Sequence, residues 1–403
     1  MPERALVADP TDVAAIAKAI AGSSLAAFDL EFLAQDRLVP TLCLVQVAWL
    51  PHDVPLDASP AAIVAATPEV ALIDPLAVDA RPVIEALAAH LRPVAHAPRQ
   101  DLQLLATRFG VEMPGIADTQ IMAAFAGLGD QIGFAALANE LLGTSLGKEQ
   151  QWTDWAQRPL SPAQLSYAES DVIHIPALFA LLREKLGARM PWALAESSEI
   201  SVDAIAATKI TPENAWMQVS TRGMDPPAIA ALIELAAWRQ RTAIALDKPI
   251  GQVINEKLLG DLARIRPDDV DDLRSMKAVS KVARQRADEI IEAIANAKIS
   301  NVPARGASKG APSPRAQRWA ELLLAITQLV AEKTGVATRL LAPRADAEEF
   351  ARTVDEQGLA AAASLPALAT WRKEVLGDAW VAFLTGKLAL IGDVNAPGGL
   401  QLR

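Results

Sequence analysis

Four carboxylates and one phenol in this chain have the types and the spacing for chemistry. Asp29 and Glu31 stand two residues apart in the apolar run Leu25-Ala26-Ala27-Phe28-Asp29-Leu30-Glu31-Phe32. Successive side chains of a strand point to opposite faces, so the two acids share one face while Phe28, Leu30 and Phe32 share the other. Acids in so apolar a strand need compensation by a cation, a basic residue or solvent. Taken alone, a solvated strand end satisfies them equally well. Tyr167 and Asp171 lie four apart in Ser166-Tyr167-Ala168-Glu169-Ser170-Asp171, which puts phenol and carboxylate on one face of a helix. Asp101 opens a predicted helix just after a short strand ending at His96; by itself that is the place of an N-cap. All four acids are hard oxygen donors suited to Mg²⁺ or Mn²⁺, and one cysteine with four scattered histidines offers no zinc-type cluster. Two such ions about 4 Å apart stabilise the attacking and leaving oxygens in displacement at phosphorus, so the reaction suited to this set is phosphodiester hydrolysis.

These residues need a frame. Asp9-Pro10-Thr11-Asp12 reads as a helix start, with Val13 to Ala21 a short amphipathic helix. After the Asp29 strand comes a polar turn through Gln35, Asp36, Arg37 and Pro40. Leu42 to Trp49 and Val70 to Asp74 are then predicted strands, and the short connections suggest an antiparallel meander. Val83 to Leu91 reads as a helix, Pro93 to His96 as a strand and Asp101 to Phe109 as a helix. A meander passing into alternating helices and strands indicates an α/β domain, a mixed sheet flanked by helices. Phe134 to Leu142 and Ser161 to Leu186 are predicted helices, Pro162 fitting the first turn of the second. Residues 187 to 210, with Pro191, Ser197, Ser198 and few large apolar side chains, read as a linker. A separate all-helical unit is expected over 211–298, with segments Pro227 to Leu246, Glu256 to Ala263, Val270 to Leu273 and Val282 to Ala297. The Gly-, Pro- and Ser-rich stretch 299–314 is expected to be a flexible tether. Lys298, Arg305, Lys309, Arg315 and Arg318 lie in or beside it with no acid among them. They are open to two readings, a solvated linker or non-specific phosphate contact. A last helical unit is expected from Arg315 to about Leu390.

Composition sets the outer limits. A chain of 403 residues holds about two or three domains. With 51% hydrophobic and 21% charged residues it belongs with globular rather than disordered proteins. Met1-Pro2-Glu3-Arg4, followed by Asp9 and Asp12, lacks the basic flank and apolar block of a secretory signal. No apolar stretch is read as long enough for a membrane span, so no membrane contact and a cytoplasmic location are expected. The lone Cys43 permits no internal disulfide, and its apolar run makes it a buried, inert thiol. A net charge of −10 argues against a protein basic all over, the footprint of a general nucleic-acid binder. An enzyme that gathers carboxylates around cations fits it.

Taken in order, Phe28-Asp29-Leu30-Glu31-Phe32, His96-Ala97-Pro98-Arg99-Gln100-Asp101-Leu102, Asp118-Thr119-Gln120 and Tyr167-Ala168-Glu169-Ser170-Asp171 resemble the motifs of ribonuclease D. Gly147-Lys148-Glu149-Gln150-Gln151-Trp152-Thr153-Asp154-Trp155-Ala156-Gln157-Arg158-Pro159-Leu160 also matches that family in order and spacing. The family belongs to the tyrosine subclass of the DEDD 3′-5′ exonucleases and has a ribonuclease H-like fold. In the C-terminal half, Ala236-Ala237-Trp238-Arg239, Leu246-Asp247-Lys248-Pro249-Ile250 and the Leu258 to Arg266 helix resemble the HRDC domain. Pro366, Leu368, Trp371, Arg372 and Gly377 sit where a second, diverged copy would have its closing motif. The resemblance implies an α/β ribonuclease H-like exonuclease domain over 1–195, followed by two all-α HRDC-like helical domains over 211–298 and 315–393 joined by the basic linker 299–314.

It also implies that Asp29, Glu31, Asp101 and Asp171 hold two divalent metal ions, Mg²⁺ or Mn²⁺, and that Tyr167 positions the attacking water. RNA 3′ ends, tRNA precursors among them, are the implied substrate. A phenol with a reference pKa of about 10 serves better as a neutral orienter than as a strong base. Asp118 is read as a structural cap or buried hydrogen-bonding group. Leu30 stands where the family commonly has a small hydroxyl residue, a place implied to touch the terminal nucleotide. Pro98 and Arg99 replace a smaller, more polar pair, which leaves Arg99 on a phosphate or in solvent. His96 is a further candidate for substrate contact, although it and His174 equally suit packing or hydrogen bonding. Two other readings stay open. One is a DNA 3′-5′ exonuclease of the same superfamily, because a metal site does not discriminate sugars. The other is a non-catalytic nucleic-acid-binding protein, against which the intact acids count.

Overall fold

The strand that carries Asp29 and Glu31 is the central strand of a five-stranded sheet in a computed structural model of the chain. The structure describes residues 6–34, 36–147, 150, 153–276, 279–303, 312–365 and 368–403. Of the residues singled out above, Met1, Pro2, Glu3, Arg4, Gln35, Lys148, Glu149, Gln151, Trp152, Arg305, Lys309 and Pro366 lie outside the described residues.

Helix α1 (Pro10–Ala21) is capped by Asp9, which accepts from the Thr11 N–H at 2.7 Å, and leads into β1 (Leu25–Leu33). β2 (Thr41–Leu50) and, beyond α2 (Pro60–Ala65), β3 (Glu69–Ile73) pair antiparallel in turn, forming the expected meander. Helix α3 (Arg81–Ala89), β4 (Pro93–Ala95), α4 (Arg99–Phe109), β5 (Ala117–Asp118) and α5 (Thr119–Phe125) follow. β4 pairs parallel with β1 and with β5, completing the mixed order β3-β2-β1-β4-β5. Helices α6 (Phe134–Leu142), α7 (Pro162–Ile173) and α8 (Ile175–Leu186) come next.

Alternation along β1 sorts the two faces of the sheet. Phe28 and Leu30 are buried with Val83 and Leu87 of α3 and Leu102 and Leu105 of α4. Leu25 and Ala27, on the acids' side, are buried with Ala168 and Val172 of α7 and with Leu178 and Phe179 of α8. Each fully buried Leu or Phe contributes about 1.5–3 kcal/mol. A one-residue slip would exchange the two faces, so this burial fixes which side the acids occupy.

Residues 187–210, expected to be a linker, instead form a short 3₁₀ turn and helix α9 (Met190–Ala206). The correction has a physical reason: the small and polar side chains are packed, not solvated. Ser197 donates to the Ala193 carbonyl at 2.8 Å and accepts from the Asp118 N–H at 3.3 Å. The helical stretch 162–206 is also, by length and composition, apolar enough to cross a membrane, which corrects the expectation that no stretch is. Its Ile175, Leu178, Phe179, Leu182 and Leu186 are buried in the protein core.

The first helical unit comprises α10 (Pro226–Leu246), α11 (Ile250–Val253), α12 (Glu256–Ile265), α13 (Val270–Ser275), α14 (Lys281–Gln285) and α15 (Ala287–Ala295). It has its own core, built on Leu232, Leu235, Leu259, Leu262 and Ile290. The last unit comprises α16 (Pro314–Thr334), α17 (Thr338–Leu341), α18 (Arg344–Gln357), α19 (Leu359–Ala362) and α20 (Asp378–Leu384). It ends in a small antiparallel hairpin of β6 (Leu390–Gly392) and β7 (Leu400–Leu402), which the helical expectation did not include. Leu323, Ile326, Phe350, Trp371 and Trp380 of this unit belong to the same continuous core as α7, α8 and α9.

Candidate active site

The sheet brings the sequence-distant acids together. Asp29 and Glu31 lie on the β1 face covered by α7, and Asp171 near the end of α7 reaches down to them. Carboxylate oxygens of Asp29, Glu31 and Asp171 lie within 4.8 Å of one another. Helix α7 is held by a capping box in which Ser161 accepts from the Gln164 N–H and Gln164 accepts from the Ser161 N–H, which fixes where its face falls.

Asp101 faces this trio from the start of α4. It is the third residue of that helix and makes no cap; Pro98 holds the N-cap position, which corrects the N-cap reading of Asp101. Its side chain is buried, 8% exposed. The turn that aims it runs through Ala97, whose φ of 52° is left-handed. Ala97 is held there by its N–H donating to Asp118 at 2.9 Å. Asp118 accepts from the Gln120 N–H as well, at 2.8 Å, and so caps α5, the structural role expected of it.

Concentrating four acids in a half-buried place has an electrostatic consequence. Burial pushes Asp29 up to about 6. Burial, then the charges of Asp29, Asp171 and Asp101, pushes Glu31 up to about 9. Burial and then Asp29 push Asp171 up to about 8. Asp101 is raised well above the usual carboxylate range by burial and then by Asp29. A cluster that resists ionisation first through burial and then through the repulsion of its charges is what a hard divalent cation relieves, and an all-oxygen donor set fits Mg²⁺ or Mn²⁺.

Tyr167 lies one turn before Asp171 on α7, close enough for phenol and carboxylate to influence each other. Burial, then Asp171, Glu31 and Asp29, push the phenol above its ordinary range, so it stays a neutral hydroxyl. The ring packs against Trp155, with centroids 6.1 Å apart. Arg158 anchors that loop: its Nε and Nη2 donate to the two Asp74 oxygens at 2.7 Å each, its Nη2 to the Cys43 carbonyl and its Nη1 to the Trp155 carbonyl. Cys43 itself is fully buried and its thiol is raised by burial, as expected of an inert position.

Two residues expected to contact substrate have other partners in the fold. Leu30 is 5% exposed and packs on the opposite side of the sheet from the acids, among α3 and α4. His96 has both ring nitrogens engaged within the protein: Nδ1 with Thr119 Oγ1 at 2.9 Å and Nε2 with the Ile132 carbonyl at 3.1 Å. Burial lowers it to about 4, so it is a neutral tie between the start of α5 and the loop before α6. Arg99 is exposed at the start of α4. His174, half-buried at the junction of α7 and α8, is lowered by burial. Missing from the sequence reading are Arg158 as an anchor and Gln46, the cross-strand neighbour of Asp29. The legible signal for Gln46 is a lone amide inside Leu42-Cys43-Leu44-Val45-Gln46-Val47-Ala48-Trp49.

A mixed sheet whose central strand and covering helix converge four acids and a tyrosine is the arrangement of a 3′-5′ exonuclease domain, and residues 5–187 match the 3′-5′ exonuclease family while residues 229–294 match the HRDC domain. Over the whole length the chain is 30% identical to ribonuclease D of Acidiphilium cryptum, covering 96% of this chain and 95% of that one. It is equally similar to ribonuclease D of Gluconacetobacter diazotrophicus, with the same coverage. The crystal structure of Escherichia coli RNase D superposes with a TM-score of 0.79 at 25% identity, covering 96% of this chain and 99% of that one. The chain belongs to the ribonuclease D family of metal-dependent 3′-5′ exoribonucleases.

Proposed function

We propose that this exoribonuclease removes nucleotides from RNA 3′ ends by a two-metal-ion mechanism in which Asp29, Glu31, Asp101 and Asp171 hold two Mg²⁺ or Mn²⁺ ions. The observation that carries this is the convergence of Asp29, Glu31 and Asp171 within 4.8 Å, faced by buried Asp101. When bound, such ions supply charge stabilisation for the attacking and leaving oxygens at phosphorus. The chain's own part is to orient. Tyr167, a neutral hydroxyl beside Asp171, orients the attacking water. Arg99, exposed at the start of the helix that carries Asp101, contacts a substrate phosphate. The family resemblance supports tRNA precursors as the substrate and residues 315–393 as a second, diverged HRDC copy.

Digestion of a 3′-labelled RNA with Mg²⁺ or Mn²⁺, beside a DNA strand of the same sequence, tests the reading. Asp29→Asn and Asp171→Asn are expected to abolish release of 3′ nucleotides. Tyr167→Phe is expected to lower kcat about 100-fold while leaving Mn²⁺ binding intact. Full activity of either asparagine variant defeats the assignment, and preference for the DNA strand defeats the substrate.

A further inference from the structure

Gln46 is fully buried on β2, and among the described residues neither its Oε1 nor its Nε2 has a hydrogen-bond partner. A buried amide with both ends unmatched costs free energy that an apolar side chain of the same size would not. The surface it faces should therefore contain a partner. Gln46 pairs in register with Asp29 on β1 and with Leu72 on β3. Residues directly opposite on neighbouring strands point to the same face with Cβ atoms about 4.5–5.5 Å apart, within reach of a glutamine amide. Along its own strand the neighbours on that face are Leu44 and Ala48, and Leu72 lies across; all three are buried and apolar.

Three acids remain, Asp29 directly opposite and Glu31 and Asp74 on the diagonals. Asp74 is already matched, accepting from Arg158 Nε and Nη2 at 2.7 Å each and from the Leu76 N–H at 3.0 Å. The acids of the cluster are left, and Asp29 is the one in register.

We propose that Gln46 is a positioning residue of the metal centre, its Nε2 donating to the Asp29 carboxylate when that carboxylate turns to hold a cation. The amide would fix which Asp29 oxygen turns toward Glu31 and Asp171. Partners of this kind behind a ligand are worth about 10- to 100-fold in metal affinity. The proposal rests on the reading of Asp29, Glu31, Asp101 and Asp171 as metal ligands.

The test uses full-length protein with Gln46→Met, close in volume and apolar, and Gln46→Leu as a second variant. Two quantities are measured: Tm in EDTA, and Mn²⁺ affinity by titration calorimetry. A residue that acts only on the loaded site leaves the EDTA Tm unchanged or raises it by roughly 1–3 °C, while Mn²⁺ affinity falls about 10- to 100-fold. A merely structural residue shows the reverse, a lower EDTA Tm with unaltered affinity, and that result overturns the proposal. Failure of both variants to fold overturns it too, since the metal-free fold would then depend on an amide that has no partner in it. Wild-type protein that takes up no Mn²⁺ defeats the reading of the metal site. Wild-type uptake with undiminished affinity in the variants defeats only the assignment of Gln46.

Discussion

Uptake of a divalent cation by this protein should expel protons, and the number follows from the acids' surroundings. At pH 7.5, Asp29, pushed up to about 6, is already ionised. Glu31, pushed up to about 9, and Asp171, pushed up to about 8, still hold their protons. A carboxylate binds a metal only when deprotonated, so filling the cluster releases about two protons, with Asp101 adding to the count. Linkage then requires affinity to rise with pH, by up to about tenfold per released proton per pH unit. Calorimetric titration of the EDTA-stripped, dialysed protein with Mn²⁺ in two pH 7.5 buffers of different ionisation enthalpy reads the proton count directly. Repeating it at pH 6.5 and 8.5 reads the slope. Asp171→Asn should lower the count by about one. Release of less than about half a proton, or an affinity flat from pH 6.5 to 8.5, refutes the claim that burial, reinforced by neighbouring charge, keeps Glu31 and Asp171 protonated.

The same shifts set the stability of the metal-free protein. Asp29, Glu31 and Asp171 all have folded values raised above their ordinary 3.8, 4.5 and 3.8, so the fold binds more protons than the unfolded chain. Their contribution is fully present below about pH 4 and is lost as pH rises through about 6 to 9. Tm in EDTA should therefore fall between pH 5 and pH 9, and saturating Mn²⁺ should flatten that fall; a rising EDTA Tm over the range would contradict the burial of the acids. Arg372→Ala should destabilise the protein by about 3–5 kcal/mol in urea unfolding, because it strands a buried Glu196. The Arg372 side chain is 14% exposed and that of Glu196 7%, and Arg372 Nη2 lies 2.5 Å from Glu196 and Nη1 2.8 Å from Glu199. A cost under about 1 kcal/mol would place the pair with ordinary surface ion pairs.

What was legible in the sequence is what local periodicity controls. Alternation put Asp29 and Glu31 on one face of β1, and the four-residue spacing put Tyr167 and Asp171 on one face of α7. Both follow from backbone geometry that tertiary context did not override. What escaped depended on distant partners. α9 looked like a linker because of Pro191, Ser197, Ser198 and the few large apolar side chains around them. Glu196 meets Arg372 from the last helical unit, and Ser197 accepts from Asp118 N–H on β5, contacts that no window of the sequence contains. Asp101 was legible as an acid at a helix start but not as the third residue of α4, since Pro98 and Arg99 begin that helix. Leu30 and His96 were placed near substrate by analogy of position. The sheet faces one away from the acids, and the fold uses both nitrogens of the other.

The two helical units attach to the exonuclease domain by different physics, and this bears on where that domain ends. The first touches it mainly through polar contacts, Arg37 Nε to Asp247 at 2.7 Å, the Leu38 N–H to Asp247 at 3.2 Å and Gln252 to Asp36 at 2.9 Å, with the Leu38 side chain packed against that unit's own core. Arg37 and Asp247 are each about half exposed, so this contact locates the end of α10 beside the turn that follows β1 without merging the two cores. The last unit instead completes a core. Trp371 stands 4.8 Å from Phe125 and 6.1 Å from Trp192, ring centroid to ring centroid, and Arg372 closes over Glu196 and Glu199 of α9. A chain cut near residue 195 would lose Ser197, which accepts from the Asp118 N–H. A cut near 210 would keep α9 but uncover Trp192 and leave Glu196 without its cation. Burying aromatic area and then exposing it costs far more than breaking a surface ion pair. The catalytic body is therefore the sheet, α1 to α9 and the C-terminal helices together, and the first helical unit is an arm tied to that body at both of its ends.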